Sequence, residues 1–240
     1  MSRFVLVHGA MHGGWCWTAV AGLLRSHGHD VATPTLTGQG ERHHLLTPQV
    51  TVETHIDDIA NTICFEDLDD VCLVLHSYAG GLAGPLAQRL SGRLTSVVLV
   101  GGFLQHPGES NFDVQPASSR ELFCRLAAEG PSGWRIPACD ALIARWGVTD
   151  AAVIALLRRK LTDFSLVLSR GVVDFDPAHL QLLPRTYIEH TEPGLPALAL
   201  SIARARDEGW EMRRIATGHE MMLTEPEQTT DLLEDAAASD

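Results

Sequence analysis

The stretch Val71-Cys72-Leu73-Val74-Leu75-His76-Ser77-Tyr78-Ala79-Gly80-Gly81 decides how this chain reads. An apolar run breaks at a serine and resumes as small residues, which is how a strand turning sharply into a helix is written, with Ser77 at the apex. A hydroxyl held there stands at the end of a strand and can act as an exposed nucleophile. The positions two before and two after the serine, where strand and helix nearly touch and glycine is usual, are Leu75 and Ala79. Ala79 adds one methyl group, whereas Leu75 demands space beside the turn. A serine among small residues also describes an ordinary strand-to-helix turn, so the weight falls on its partners elsewhere.

Working outward, short β-branched runs (Phe4 to Val7, Asp30 to Thr33, Thr95 to Gly101) alternate with helical patterns from about Trp15 to His27 and Val52 to Glu66. Such alternation implies crossover connections and a mostly parallel sheet with helices on both faces, an α/β class in which ligands sit at the carboxyl ends of the strands. His8 and Ser77 both fall there. The helix after Ser77 carries Gly80, Gly81, Gly84 and Pro85, poor formers that imply close packing, expected against the sheet. Over residues 116–180 the pattern turns mainly helical, which predicts a cap inserted between strands of one domain spanning 1–240 and roofing the strand ends. A strand resumes at Arg185-Thr186-Tyr187-Ile188, and Glu211 to Ala216 precedes a last helix from about Glu225 to Ala236.

The length of 240 residues and 45% hydrophobic content suit one packed core. A net charge of −12 without a basic stripe disfavours nucleic acid as a partner. Five cysteines with no CxxC pair suit reduced thiols, and the apolar run opening the chain is too short for a signal peptide. No segment has the apolar length to span a bilayer. The expected setting is the cytoplasm, off the membrane, with a homodimer left open.

A serine hydroxyl needs a base to take its proton. Of twelve histidines, His219 in Thr217-Gly218-His219-Glu220 is best placed, between the last strand and the terminal helix, so that serine precedes histidine in chain order. Acyl transfer also needs N–H donors aimed at the oxyanion. The Tyr78 amide, just after the nucleophile, and the Ala10 amide, in the turn His8-Gly9-Ala10, are the candidates. His12 and Trp15 are the candidate substrate contacts, although aromatics that open a helix, as Trp15 and Trp17 do, pack more often than they line pockets. His76 should point away from the site as a core histidine. His43-His44 lacks a third spaced ligand, so no metal is expected.

The string from Phe4 to Trp17, FVLVHGAMHGGWCW, closely resembles the opening of the plant methylesterase and hydroxynitrile lyase family of α/β-hydrolases. The Leu75 to Gly81 turn, Pro107-Gly108-Glu109-Ser110 and Gly218-His219-Glu220-Met221-Met222-Leu223 match in order, so the resemblance covers nearly the whole chain. It implies the α/β-hydrolase fold and a compact esterase for small, often aromatic or polyketide-like esters, with no cofactor. Family members that cleave cyanohydrins carry a threonine and a lysine where this chain has Gly9 and Glu220, which favours ester hydrolysis.

The same resemblance exposes a gap, because the family's triad aspartate aligns with Pro193 in Thr191-Glu192-Pro193. Proline cannot orient an imidazole, and its ring restrains the backbone against a one-residue slip. Glu192 is the first substitute, Glu189 the second and Glu109 the third. Three readings follow: a serine esterase using Ser77, His219 and Glu192; a lyase, decarboxylase or cyclase on a natural-product intermediate in the same pocket; and a small-molecule receptor without turnover. Fold alone does not choose among them.

Overall fold

The run Val71-Cys72-Leu73-Val74-Leu75-His76 is buried at every position, as befits a strand with neighbours on both sides and helices on both faces. In the computed structural model, which describes residues 1–130 and 132–238, it is the third of ten strands. These are β1 (Arg3–Val7), β2 (Asp30–Ala32), β3 (Val71–His76), β4 (Leu94–Val100), β5 (Glu109–Ser110), β6 (Arg135–Ile136), β7 (Phe164–Ser165), β8 (Val172–Val173), β9 (Arg185–His190) and β10 (Glu211–Ile215). Six form one sheet in the order β10-β9-β4-β3-β1-β2, and every neighbouring pair is parallel.

Parallel neighbours require crossovers, and the period-two alternation of the strands sorts their side chains between two helical layers. Val5, Leu73, Leu75, Val97 and Leu99 face the helices Val52–Phe65 and Ala83–Arg89. Phe4, Leu6, Cys72, Val74, Val98 and Val100 face Thr18–Ser26 and Pro226–Ala237. The helix Val52–Phe65 starts sharply because Thr51 and Thr54 cap each other's backbone N–H groups. The expected helix from Trp15 divides into a 3-10 turn, Gly14–Trp17, and the α-helix Thr18–Ser26. Among the described residues no helix is long and apolar enough to cross a membrane.

Between β5 and β9 lie the helices Ala117–Glu129, Asp140–Arg145, Ala151–Lys160, Leu166–Arg170 and Ala178–Gln181, laced by the two-residue ladders β5–β8 and β6–β7. Those ladders escape a sequence reading because two residues show no periodicity. Ile136, Leu142, Phe164 and Leu168 of this segment continue the apolar cluster of one sheet face. The segment also touches the loops at the strand ends. Thr162 N–H donates to Met11 O at 3.0 Å, and His219 N–H donates to Trp146 O at 2.8 Å.

The glycines after Ser77 are required by contacts with loops rather than with the sheet. A Cβ on Gly80 would lie 2.7 Å from Phe103 O and 2.9 Å from Gly102 Cα, and one on Gly84 would strike the Phe175 ring. Phe103 is in the loop after β4 and Phe175 follows β8. The helix begins at the strand ends, where loops and not strands are its neighbours. Gly80→Ala is therefore expected to lower unfolding free energy by about 1–3 kcal/mol, read as a reduced denaturant midpoint at unchanged m. Gly22, in the helix Thr18–Ser26 with open space around its α-carbon, serves as the contrast. Gly22→Ala should stabilise by about 0.5–1 kcal/mol. Equal midpoints in the two variants would contradict this packing account.

Candidate active site

Ser77 takes a φ of +52°, in the left-handed region that costs a residue with a β-carbon of order 1–3 kcal/mol. The turn is held open by its neighbours: Phe103 N–H donates to Ser77 O at 3.0 Å, and the loop after β1 passes so close that a Cβ on Gly9 would lie 2.7 Å from Ser77 Cβ. Only glycine at position 9 lets that loop reach the serine. Leu75 finds its space within the apolar layer of the sheet face beneath.

His219 follows β10 and is pinned by its backbone. Its N–H donates to Trp146 O, and its carbonyl accepts from His76 Nε2 at 3.1 Å. A Cβ on the preceding Gly218 would lie 2.6 Å from the Trp146 carbonyl, so glycine is needed for that approach. The ring then delivers Nε2 to 2.9 Å from Ser77 Oγ. The buried imidazole is pushed well below its ordinary pKa by burial first and by the adjacent imidazoles His76, His190 and His12 second. The ring is therefore neutral at pH 7.

The amides of Ala10 and Tyr78 donate to no other protein group among the described residues. Both residues line the cavity at Ser77.

None of the three candidate carboxylates hydrogen-bonds His219. Glu192 is exposed, and its backbone N–H donates to Thr217 O at 3.0 Å. Glu189 pairs with Arg206 at 2.7 Å and Arg214 at 3.3 Å, and Glu109 is gripped by both Arg204 terminal nitrogens at 2.6 and 2.8 Å. Pro193 packs against the α-carbon of Gly147, where a Cβ would come within 2.4 Å of the proline ring. His219 Nδ1 is left buried without a hydrogen-bond partner among the described residues. The His190 ring lies beside it, with centroids 4.9 Å apart, and both nitrogens of His190 are likewise unpartnered among the described residues.

His12 Nε2 lies 3.0 Å from Glu220 Oε2, with both side chains almost wholly buried. Burial opposes both charges, yet each partner favours the other's: Glu220 lies below its ordinary value and His12 above. His12 Nδ1 is 2.7 Å from Ala10 O, so this pair braces the loop that carries the Ala10 amide. His12 lines the cavity at Ser77, whereas Trp15 lines a neighbouring cleft with Gly40, Glu41 and Lys160 and stacks on His12 at 5.5 Å. The tryptophan that lines the cavity is instead Trp146, from the inserted segment. His76 does not point away into the core: it borders the cavity, its ring 4.7 Å from that of His219. His76, His219 and Glu220 offer ligand atoms within 4.8 Å of one another, the one such group found among the described residues. Each is already engaged, with the His219 carbonyl, Ser77 and His12 respectively.

The cavity itself is about 60 Å³, walled by Phe103, Phe123, Phe164 and Leu142, with a polar row of Asn111, Gln115, Ser119 and Arg145. Gln115 donates to Asn111 at 2.5 Å and Arg145 donates to Ser119 at 3.0 Å. Sequence reading missed Glu220, His190 and this wall. No spacing distinguishes a buried carboxylate after a loop histidine, or the cavity-facing side of a short helix.

Comparison with known proteins identifies the family. A carbendazim hydrolyzing esterase from Nocardioides sp. (strain SG-4G) is 47% identical over 140 residues, 58% of this chain and 57% of that protein. Methylesterase 9 of Arabidopsis thaliana is 32% identical over 105 residues, 43% of this chain and 41% of that protein. These alignments span only about half the length of the curated relatives, 57% and 41%. An extracellular α/β-hydrolase from a Paenibacillus species superposes with a TM-score of 0.87 at 23% identity, covering 100% of both chains. Tomato methylketone synthase I superposes at 0.82 with 20% identity, over 98% of this chain and 97% of that one. Likeness at such identity speaks for the fold, and residues 4–232 match the alpha/beta hydrolase family as a whole. With the parallel sheet, the strand-turn-helix at Ser77 and methylesterases among its relatives, the chain belongs to the alpha/beta hydrolase family.

Proposed function

We propose that the protein is a serine hydrolase of small carboxylic esters, working through an acyl-enzyme. The observation that carries this is the 2.9 Å contact between Ser77 Oγ and His219 Nε2. In the proposed reaction Ser77 Oγ attacks the ester carbonyl as its proton passes to His219 Nε2. The Ala10 and Tyr78 amides receive the oxyanion, His219 returns the proton to the leaving alkoxide, and water then releases the acid by the same relay. These steps need no cofactor. Esterase names among the relatives support the same reaction class.

A cavity of about 60 Å³ is smaller than the ~300 Å³ or more usual for ligand sites. Substrate is admitted when the inserted segment, residues 116–180, parts from the Met11–His12 loop, and we read that segment as a cap. Five free cysteines, two of them buried, fit a reducing compartment, and we place the protein in the cytoplasm.

A second reading, a lyase, decarboxylase or cyclase in the same pocket, is favoured by one observation: among the described residues no carboxylate hydrogen-bonds His219 Nδ1. Proton transfer without an acyl-enzyme depends less on a complete triad. Methyl-ester turnover by wild type and Ser77→Ala separates the two. The hydrolase reading expects a loss of about 10³-fold or more in kcat with KM little changed, and equal rates would refute it.

The pH profile gives a separate test. The general base works only when neutral, and His219 is held well below the ordinary 6.5 by burial and by its neighbouring imidazoles. For a neutral ester, kcat/KM should stay flat as pH falls from 8 through 6.5 and decline only further into the acid range. A half-maximum at or above 6.5 would contradict the assignment of His219 as base.

A further inference from the structure

His219 is short of a partner that its role demands. When Nε2 accepts the Ser77 proton, the ring hydrogen must sit on Nδ1, and an N–H buried without an acceptor carries a penalty comparable to a lost hydrogen bond. The three carboxylates that might have served are committed elsewhere or exposed to solvent, and Pro193 occupies the aligned position. Two imidazoles flank the ring, His76 at 4.7 Å and His190 at 4.9 Å between centroids; the free Nδ1 of His76 borders Gly9, whereas His190 borders Gly101 on the side of the orphaned atom. His190 ends β9, is 2% exposed, and presents two ring nitrogens that lack any hydrogen-bond partner among the described residues. The two rings also converge on one point: a Cβ on Gly101 would stand 3.1 Å from His190 Nδ1 and 3.2 Å from His219 Nδ1. Gly101, at φ +50°, leaves the space beside both nitrogens clear of a side chain.

Resting on the Ser77–His219 reading, we propose that His190 is the positioning residue for His219, a neutral imidazole that accepts the Nδ1–H in place of a triad carboxylate. The protons balance without an added charge. The Ser77 Oγ–H proton moves to His219 Nε2 as the Oγ–C bond forms and the carbonyl π pair moves to oxygen. The Nδ1–H remains on His219 and, as the two rings close the gap that leaves their nitrogens unpaired in this structure, is donated to an unprotonated His190 nitrogen, which fixes the tautomer and delocalises the imidazolium charge. Burial holds His190 down to a pKa of about 4, so an acceptor nitrogen is available at neutral pH. The other ionisable groups around the two rings are His76 at the end of β3, His12 after β1, Glu220 beside His219 and Glu189 on β9. Of these, Glu220 is paired with His12 and Glu189 with arginines. A neutral acceptor stabilises an imidazolium less than a carboxylate does, so the arrangement trades turnover for a base that stays unprotonated in acid.

The test replaces His190 by Leu, Asn and Asp and measures methyl-ester kcat, KM and the kcat/KM pH profile. Asn and Asp place an oxygen on the Cβ–Cγ frame where the histidine has Nδ1. His190→Leu should lower kcat about tenfold with KM changed by less than about twofold, and His190→Asn should recover most of that loss. His190→Asp should raise kcat above wild type and move the acid limb upward by about one pH unit or more, since an adjacent carboxylate favours the imidazolium. A purely structural histidine would not be rescued by the amide oxygen of His190→Asn. Wild-type kcat in His190→Leu, or an unmoved limb in His190→Asp, overturns the proposal. If Ser77→Ala is inactive while His190→Leu is unimpaired, only this inference falls; if Ser77→Ala is as active as wild type, the hydrolase reading falls with it. Should the variants fail to fold, ¹⁵N-imidazole spectra of wild type decide. The expected result is His219 as the Nδ1–H tautomer with that hydrogen bonded to His190, and His219 as the Nε2–H tautomer overturns the idea.

Discussion

Three backbones meet at the carboxyl ends of β1, β3 and β4, and the chemistry depends on how closely they approach. Ser77 Oγ lies 2.9 Å from His219 Nε2 because Gly9 lets the first loop touch the serine, Gly80 lets the turn close against Gly102 and Phe103, and Gly101 clears the space beside His219. A Cβ on Gly9 or Gly80 would fall within 3 Å of another heavy atom, and one on Gly101 at 3.1 Å from an imidazole. The parallel sheet sets the stage, since it brings all these strand ends to one edge. The left-handed serine is sustained by the surrounding contacts rather than by its own preference.

Electrostatically the site is a layer of buried imidazoles with one carboxylate. His12, His76, His190 and His219 are buried around the site, and among the described residues Glu220 is the one acidic residue lining the cavity. Glu220 is taken by His12, leaving His76, His190 and His219 to settle their protons among neutral rings. Because His76 Nε2 faces a carbonyl, it must carry its hydrogen there, which leaves Nδ1 bare. The result is a buried imidazole of low proton affinity at position 219, unlike one backed by a buried carboxylate.

Much of this was legible in the chain. The apolar run ending at Ser77 reads as a buried strand because period-two faces of a parallel strand are both apolar, and the loop position of His219 follows from the strand and helix on either side. The helix starts at Val52 and Pro226 fall within one residue of expectation because a cap and a proline mark them. Long-range pairing is what sequence conceals. Glu109 and Glu189 look free until Arg204, Arg206 and Arg214 arrive from distant segments, and the packing of Gly80 depends on a loop over twenty residues away. His190 gives no signal at all, since a histidine ending a strand reads the same whether it borders a site or fills a core.

The account stands on the convergence of Ser77 and His219, and intact-protein mass spectrometry with a fluorophosphonate tests that convergence most directly. A single adduct should form on the peptide carrying Ser77, and the labelling rate should collapse in His219→Ala, whose serine keeps its place but loses its base. Labelling elsewhere, or a rate indifferent to His219, would contradict it.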